Sequence, residues 1–288
     1  MSRAGLPGRR NRPRIDGATI LITGASSGIG RAFAALLAPR AARLLLVARR
    51  RDRLEALRDQ LLAEHPGLLV HIDARDLADA DALEACVATV LHDVGAVDIL
   101  INNAGAGDFA LLQHADWARL EQLIRINVLA TTQLTHRLLP ALRAGGRGGI
   151  VMVGSGAGMA WMPGTAVYVG TKHFIDGFSE TLRLELHRSG LTVTQVCPGP
   201  VATEFDQVAG IDPRQMGPVP VWLRIDAEQC AREAVQGFAA GRALVFPGWR
   251  FRALMRLQAL TPRSLQRLAL RSVMDLPALQ HGRNAGDE

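Results

Sequence analysis

The feature that most constrains the fold is a rhythm in which short apolar runs alternate with helix-length amphipathic stretches along most of the chain. The runs are residues 18–23, 43–48, 68–72, 98–102, 149–154, 191–196 and 243–246. Several, such as RLLLVA at 43–48, are continuously apolar, as strands buried on both faces must be. Helical segments are expected between them at 29–38, 51–64, 78–93, 116–143, 165–188 and 227–240. Strand–helix repetition of this kind implies right-handed crossovers and a parallel sheet. The expected fold class is therefore α/β, a doubly wound parallel sheet of about seven strands flanked by helices.

With 288 residues, 48% of them apolar, the chain can build one sizeable core, and no linker-like break interrupts it. The charge is uneven. Residues 1–16 hold five Arg and one Asp, and residues 241–288 hold eight Arg and three acids, which leaves 20 basic and 23 acidic residues for 17–240. The overall charge of +6 thus comes from the two ends, which argues against a nucleic-acid-binding core. Three parts are expected: a basic, flexible extension at 1–16, a main domain at 17–248, and a basic amphipathic extension at 249–288. The N-terminus lacks a signal-type apolar run and no stretch approaches the roughly 18 apolar residues of a membrane span, so a cytoplasmic protein is expected. Cys86, Cys197 and Cys230 show no metal-ligand spacing; they read as reduced thiols, and no metal is expected.

The C-terminal extension supports two readings. Thr261-Pro262 has the pattern of an N-cap followed by Pro at the first helical position. Arg263, Arg267 and Arg271 then recur every four residues, after Arg250, Arg252 and Arg256, with Leu265, Leu268, Ala269 and Val273 on other faces. The apolar faces could cap the domain with the arginines solvated. Alternatively, the tail could lie on an anionic membrane, giving peripheral contact at the inner membrane surface.

Of 33 basic residues, 32 are Arg and one is Lys, and the chain has one Tyr. That Tyr and that Lys are Tyr168 and Lys172, four residues apart and so on one helical face. A compact ammonium does chemistry that a planar guanidinium does not. It lowers the pKa of a neighbouring phenol from about 10 toward the working range of a general acid.

After the first apolar run comes Thr23-Gly24-Ala25-Ser26-Ser27-Gly28-Ile29-Gly30, opening a helix. Glycines let the backbone approach a pyrophosphate, and the helix N-terminus offers N–H groups to it. The context makes this a Rossmann-type dinucleotide turn. Its Gly-x-x-x-Gly-x-Gly spacing resembles that of the short-chain dehydrogenase/reductase family. The resemblance runs from about Gly17 to Phe246. Asn102-Asn103-Ala104-Gly105 resembles a structural motif of that family, Asp73, followed by Ala74, sits where its adenine-contacting Asp does, and Pro198-Gly199-Pro200-Val201 with Thr203 resembles its nicotinamide-side loop.

The resemblance implies a catalytic tetrad of Asn127, Ser155, Tyr168 and Lys172. Tyr168 would donate the proton, Lys172 would hold the nicotinamide ribose, Ser155 would bond the substrate carbonyl, and Asn127 would help hold a water near Lys172. The implied cofactor contacts are Gly24, Ser26, Ser27, Gly28, Ile29, Gly30, Asp73, Ala74, Asn103, Ala104, Gly105, Tyr168, Lys172, Pro198, Gly199, Val201 and Thr203. Two positions depart from the family. Gly154-Ser155-Gly156 replaces a common Ser pair, and Gly170-Thr171 replaces Ala-Ser before the lysine.

NAD binders place an acid after the second strand, whereas NADP binders favour Arg. Here Val47-Ala48-Arg49-Arg50-Arg51 runs without an acid until Asp52. NADP(H) is therefore expected over NAD(H), with Arg49 the first candidate for the 2′-phosphate and Arg50 the second. Trp161, Met162, Pro163, residues 105–109 and the loop from Thr203 to Trp222 would wall an apolar cleft. The expected activity is an NADP(H)-dependent interconversion of a hydrophobic or acyl-like ketone or aldehyde and its alcohol. The rivals are an NAD-linked alcohol or steroid-type dehydrogenase and a non-catalytic cofactor-sensing protein of the same fold. By resemblance, a homodimer or homotetramer pairs through segments 116–143 and 165–188.

Overall fold

A computed structural model describes residues 12–209 and 221–274. Its seven strands are β1 (Thr19–Thr23), β2 (Arg43–Ala48), β3 (Leu69–Ala74), β4 (Ile99–Asn102), β5 (Gly149–Val153), β6 (Thr192–Val196) and β7 (Leu244–Val245). They form one parallel sheet in the order β3-β2-β1-β4-β5-β6-β7. The chain steps outward from β1 to β3, then returns to β1's other side with β4. The reversal opens a crevice at the carboxyl ends of β1 and β4, where open α/β sheets bind ligands.

Alternate side chains of each strand feed two helical layers, because successive residues point to opposite faces. Ile20, Ile22, Leu44 and Leu46 pack with α1 (Gly28–Leu37), α2 (Arg51–Glu64) and α8 (Ala227–Ala239) through Phe33, Leu54 and Phe238. Leu21, Leu45 and Leu100 pack on the other side with α3 (Ala80–Thr89), α5 (Thr131–Gly145) and α6 (Ala166–Glu185) through Val87, Leu138 and Leu182. Side chains this deeply buried each contribute about 1.5–3 kcal/mol relative to exposure, so both layers are needed to hold the sheet.

Several boundaries differ from the sequence expectation. The single helix expected at 116–143 is α4 (Trp117–Ile124), a π-helical turn at Arg125–Ala130, and α5. The segment 78–93 ends in a second π-helical turn, Val90–Val94, after α3. The third strand continues past residue 72 to Ala74, and the seventh shortens to two residues. Apolar periodicity read over a long window does not register these changes, since a π turn widens the helix for only one turn and ladder pairing decides strand ends.

The described part of the N-terminal extension already belongs to the fold. Ile15 is buried, the Arg14 N–H donates to the Arg147 carbonyl at 2.7 Å, and Asp16 pairs with Arg40 at 2.6 Å. Residues 1–11 lie outside the described residues. At the other end the core also continues past residue 248. α7 (Phe205–Val208) precedes α8, and α9 (Trp249–Leu260) and α10 (Arg263–Met274) follow β7. Phe251 and Met255 of α9 are buried with Leu223, against Met159 and Phe246. Residues 275–288, and 210–220 of the expected cleft wall, lie outside the described residues.

Candidate active site

The turn after β1 meets the loop after β4 at the crevice. Thr23 ties them: its Oγ1 accepts from the N–H groups of Asn103 and Ala104 at 2.9 Å each and donates to the Ile101 carbonyl at 3.3 Å. The Asn103 amide donates back to the Thr23 and Gly24 carbonyls at 2.9 and 3.3 Å. Two glycines make this closeness feasible. Gly24 has φ +67°, and a Cβ there would lie 2.8 Å from Asn103 Nδ2; a Cβ on Gly30 would collide with the Gly24 carbonyl. α1 starts at Gly28 with no acidic residue in its first turn, so its N–H groups and positive dipole end face the crevice without a competing carboxylate from α1.

These residues fit a dinucleotide. At the end of β3, Asp73 is buried; its Oδ1 accepts from Arg75 at 2.6 Å, while its Oδ2 has no partner among the described residues. A buried acceptor of this kind calls for a donor, and an adenine amine supplies one. The turn offers pyrophosphate the cradle described above.

Across the crevice, Ser155 ends the β5 loop and Tyr168 and Lys172 lie one turn apart on α6. Ser155 is in extended conformation, and its Oγ accepts from Ala157 N at 3.1 Å. Lys172 is buried; its Nζ donates to the Val153 carbonyl at 3.4 Å and lies 5.7 Å from the centre of the Tyr168 ring. Phe205 covers that ring from the other side, with centroids 5.8 Å apart.

Burial has a consequence that runs against the sequence expectation. It pushes the Tyr168 phenol up to about 12, with a hydrogen bond to Ser155 pulling the other way. It brings Lys172 down to about 8. The ammonium does not overcome burial in this arrangement, so the phenol keeps its proton at neutral pH.

Asn127 sits inside the π-helical turn and is buried. Its Oδ1 accepts from Ala106 N at 2.9 Å, and its Nδ2 donates to the Ala106 carbonyl and to Thr171 Oγ1 at 3.0 Å each. Thr171 in turn donates to the Tyr168 carbonyl at 2.8 Å. The side chain therefore pins the β4 loop to the helix that carries Tyr168 and Lys172, and none of these bonds goes to Lys172. This also accounts for Thr171, one of the two departures. Around the other, the Phe251 ring lies against both Gly156 and Gly199, so a side chain at 156 would strike it, while a Cβ at Gly154 would come within 3.1 Å of Gln195 Nε2.

The two arginine candidates are placed differently. Arg49 is exposed and pairs loosely with Asp76 at 3.7 Å. Arg50 turns to the phosphate-binding turn, donating to Ser27 Oγ at 2.8 Å and to Ser26 Oγ at 3.3 Å. Glu204 and Phe205 lie in the expected wall from Thr203 to Trp222 without being singled out there, and Phe251 has no signal in the sequence. Arg50 and Glu204 are 154 positions apart, and a contact at that separation leaves no local signal. Thr203 and Val201 stand beside this cluster; a Cβ on Gly28 would meet Thr203 Cγ2 at 3.0 Å.

Residues 18–213 match the family model for short chain dehydrogenase. The chain belongs to the short-chain dehydrogenase family. It is 42% identical over 194 residues to a sulfoacetaldehyde reductase of Chromohalobacter salexigens, covering 66% of this chain and 74% of that protein. A short-chain dehydrogenase from Sphingobium yanoikuyae, solved in complex with NADPH, superposes with a TM-score of 0.76 at 34% identity, covering 94% of this chain and 98% of the other. The bulky-bulky ketone specific alcohol dehydrogenase from Comamonas testosteroni superposes with a TM-score of 0.71 at 27% identity, covering 94% and 97%. This short-chain dehydrogenase is thus an oxidoreductase of Rossmann fold, and its described part contains no helix long and apolar enough to cross a membrane.

Proposed function

We propose that this protein is an NADPH-dependent reductase of lipophilic ketones or aldehydes, with Tyr168 as proton donor. The observation that carries this reading is the convergence of Ser155, Tyr168 and the lone Lys172 opposite a dinucleotide turn. When bound, the cofactor supplies a hydride. Tyr168 holds a proton at its phenol for the forming alkoxide, Ser155 donates toward the same oxygen, and Lys172 places positive charge beneath both. Asn127 acts as a positioning residue through Thr171. Lys172 also orients the nicotinamide ribose, and Asp73, with Ala74, holds the adenine end.

Arg50, with Ser26 and Ser27, offers a guanidinium and two hydroxyls to a 2′-phosphate, which supports NADPH over NADH. The Arg50→Ser variant is expected to raise KM for NADPH at least about tenfold and leave that for NADH within about twofold, while Arg49→Ser has the smaller effect. Steady-state kinetics with both cofactors check this; equal loss with both would contradict it.

Phe205, whose ring packs against Tyr168, gives the reacting end an apolar neighbour that suits the bulky ketones of the Comamonas enzyme better than a sulfonated aldehyde. In the notional wall, Trp161 is stacked by Arg267 of α10, 5.6 Å from its ring. This contact supports the capping reading of the tail. Its outer face still exposes Leu257, Leu260, Leu265 and Leu268 beside Arg256, Arg263 and Arg271, and residues 249–274 contain no acid. We include peripheral contact with an anionic membrane in this proposal. Full-length protein is expected to pellet with phosphatidylglycerol vesicles at low salt, and Leu257→Glu/Leu268→Glu to stay in the supernatant; equal pelleting of the two would contradict it. A cytoplasmic homodimer or homotetramer, paired through α4–α5 and α6, fits the exposed Trp117, Leu129, Phe174 and Leu184 on those helices.

A further inference from the structure

The proposed reaction leaves one charged cluster unexplained. The two oxygens of Glu204 accept from Arg53 Nη1 at 2.7 and 2.8 Å, and one of them accepts from Arg50 Nη1 at 2.8 Å. The remaining N–H groups of Arg50 reach Ser27 Oγ and Ser26 Oγ. Two guanidiniums and two hydroxyls therefore converge from α2 and the glycine turn, and the anion they surround is a carboxylate from the far side of the groove. That donor set suits a phosphate, which accepts several charge-assisted bonds at once.

Glu204 is also tied to the reacting end. It is followed directly by Phe205, whose N–H donates to Thr203 Oγ1 at 3.2 Å and whose ring lies over Tyr168. The same ring fills the space beside Gly107, where a Cβ would come within 2.7 Å of Phe205 Cζ.

We propose that Glu204 is a specificity-determining residue: its carboxylate holds the Arg50–Arg53–Ser26–Ser27 cluster, and a 2′-phosphate enters by replacing it. This rests on the reading that Arg50 receives the 2′-phosphate. Two guanidiniums neutralise one phosphate dianion, and a carboxylate left among them would repel it. A cofactor without the 2′-phosphate makes no such demand and leaves the Glu204 pairs intact. Glu204 thus taxes NADPH and not NADH, and its release frees the start of α7 from the cluster.

The test uses the full-length protein with 2′,5′-ADP and 5′-AMP as probes, titrated by calorimetry, and needs no turnover. Wild type is expected to bind 2′,5′-ADP more tightly than 5′-AMP. Glu204→Gln is expected to tighten 2′,5′-ADP about tenfold and change 5′-AMP by less than about twofold. Amide exchange across 203–209 in wild type is expected to be faster with 2′,5′-ADP than with 5′-AMP. Weaker 2′,5′-ADP binding by Glu204→Gln would overturn the proposal, as would an equal change for both probes or no change. Equal binding of both probes by wild type would instead show that the 2′-phosphate reading itself is wrong, and the role of Glu204 would fall with it.

Discussion

Replacing Tyr168 with Phe is expected to lower kcat for carbonyl reduction about 10²–10⁴-fold while leaving NADPH affinity within about twofold. The hydroxyl is the group that the substitution removes; the ring, its contact with Phe205 and the helix that carries it stay. No other phenol exists in the chain, so none can substitute from elsewhere. Burial keeps the phenol protonated across the ordinary pH range, which suits proton donation in the reductive direction. Alcohol oxidation needs the phenolate and is expected to be slow at neutral pH. Fluorescence titration of NADPH beside steady-state kinetics separates the two effects. A KM effect without a kcat effect would place Tyr168 outside the chemistry.

Lys172→Arg is expected to be nearly as damaging, a loss of about 10²–10³-fold in kcat, although charge is retained. Lys172 is buried between α6 and the Val153 carbonyl, and the closest approach from the β4 loop is Gly105, where a Cβ would lie 3.5 Å from Nζ. A planar guanidinium is wider and cannot turn to meet the same partners. The pH profile carries the sign. Burial brings the Lys172 ammonium down to about 8, so it is charged below that value and neutral above. Reductive turnover in wild type is therefore expected to fall as pH rises through about 8. A flat profile from pH 6 to about 10 would show that the charge on Lys172 is not used.

The parts legible in the sequence are those written locally. Continuous apolar runs name buried parallel strands, and Gly24, Gly28 and Gly30 stand at positions where the backbone leaves no room for a side chain or adopts positive φ. The Tyr168–Lys172 pair announces itself because a chain so biased toward Arg keeps one Lys. What was not legible depends on groups that meet only in three dimensions. Asn127 sits in a helix by periodicity, yet the structure widens that helix into a π turn and turns its amide to Ala106 and Thr171. Which of Arg49 and Arg50 faces Ser27 is equally invisible in the sequence, because adjacent helix-start residues point in different directions. The phenol's surroundings are non-local in the same way: spacing shows the ammonium, and the contact with Phe205 shows only once α7 is in place. Phe251 explains Gly156 across 95 positions of chain, a relation that neither residue signals alone.

The most direct test of the account is the fate of the hydride. Wild-type protein is mixed with NADPH deuterated at the nicotinamide C4 and a panel running from bulky aryl and alicyclic ketones to sulfoacetaldehyde, and the products are read by mass spectrometry. The account predicts NADPH consumption with the bulky ketones, deuterium on the carbinol carbon of the alcohol, and neither in Tyr168→Phe. Consumption of no NADPH with any carbonyl, or undiminished label transfer by Tyr168→Phe, would contradict it.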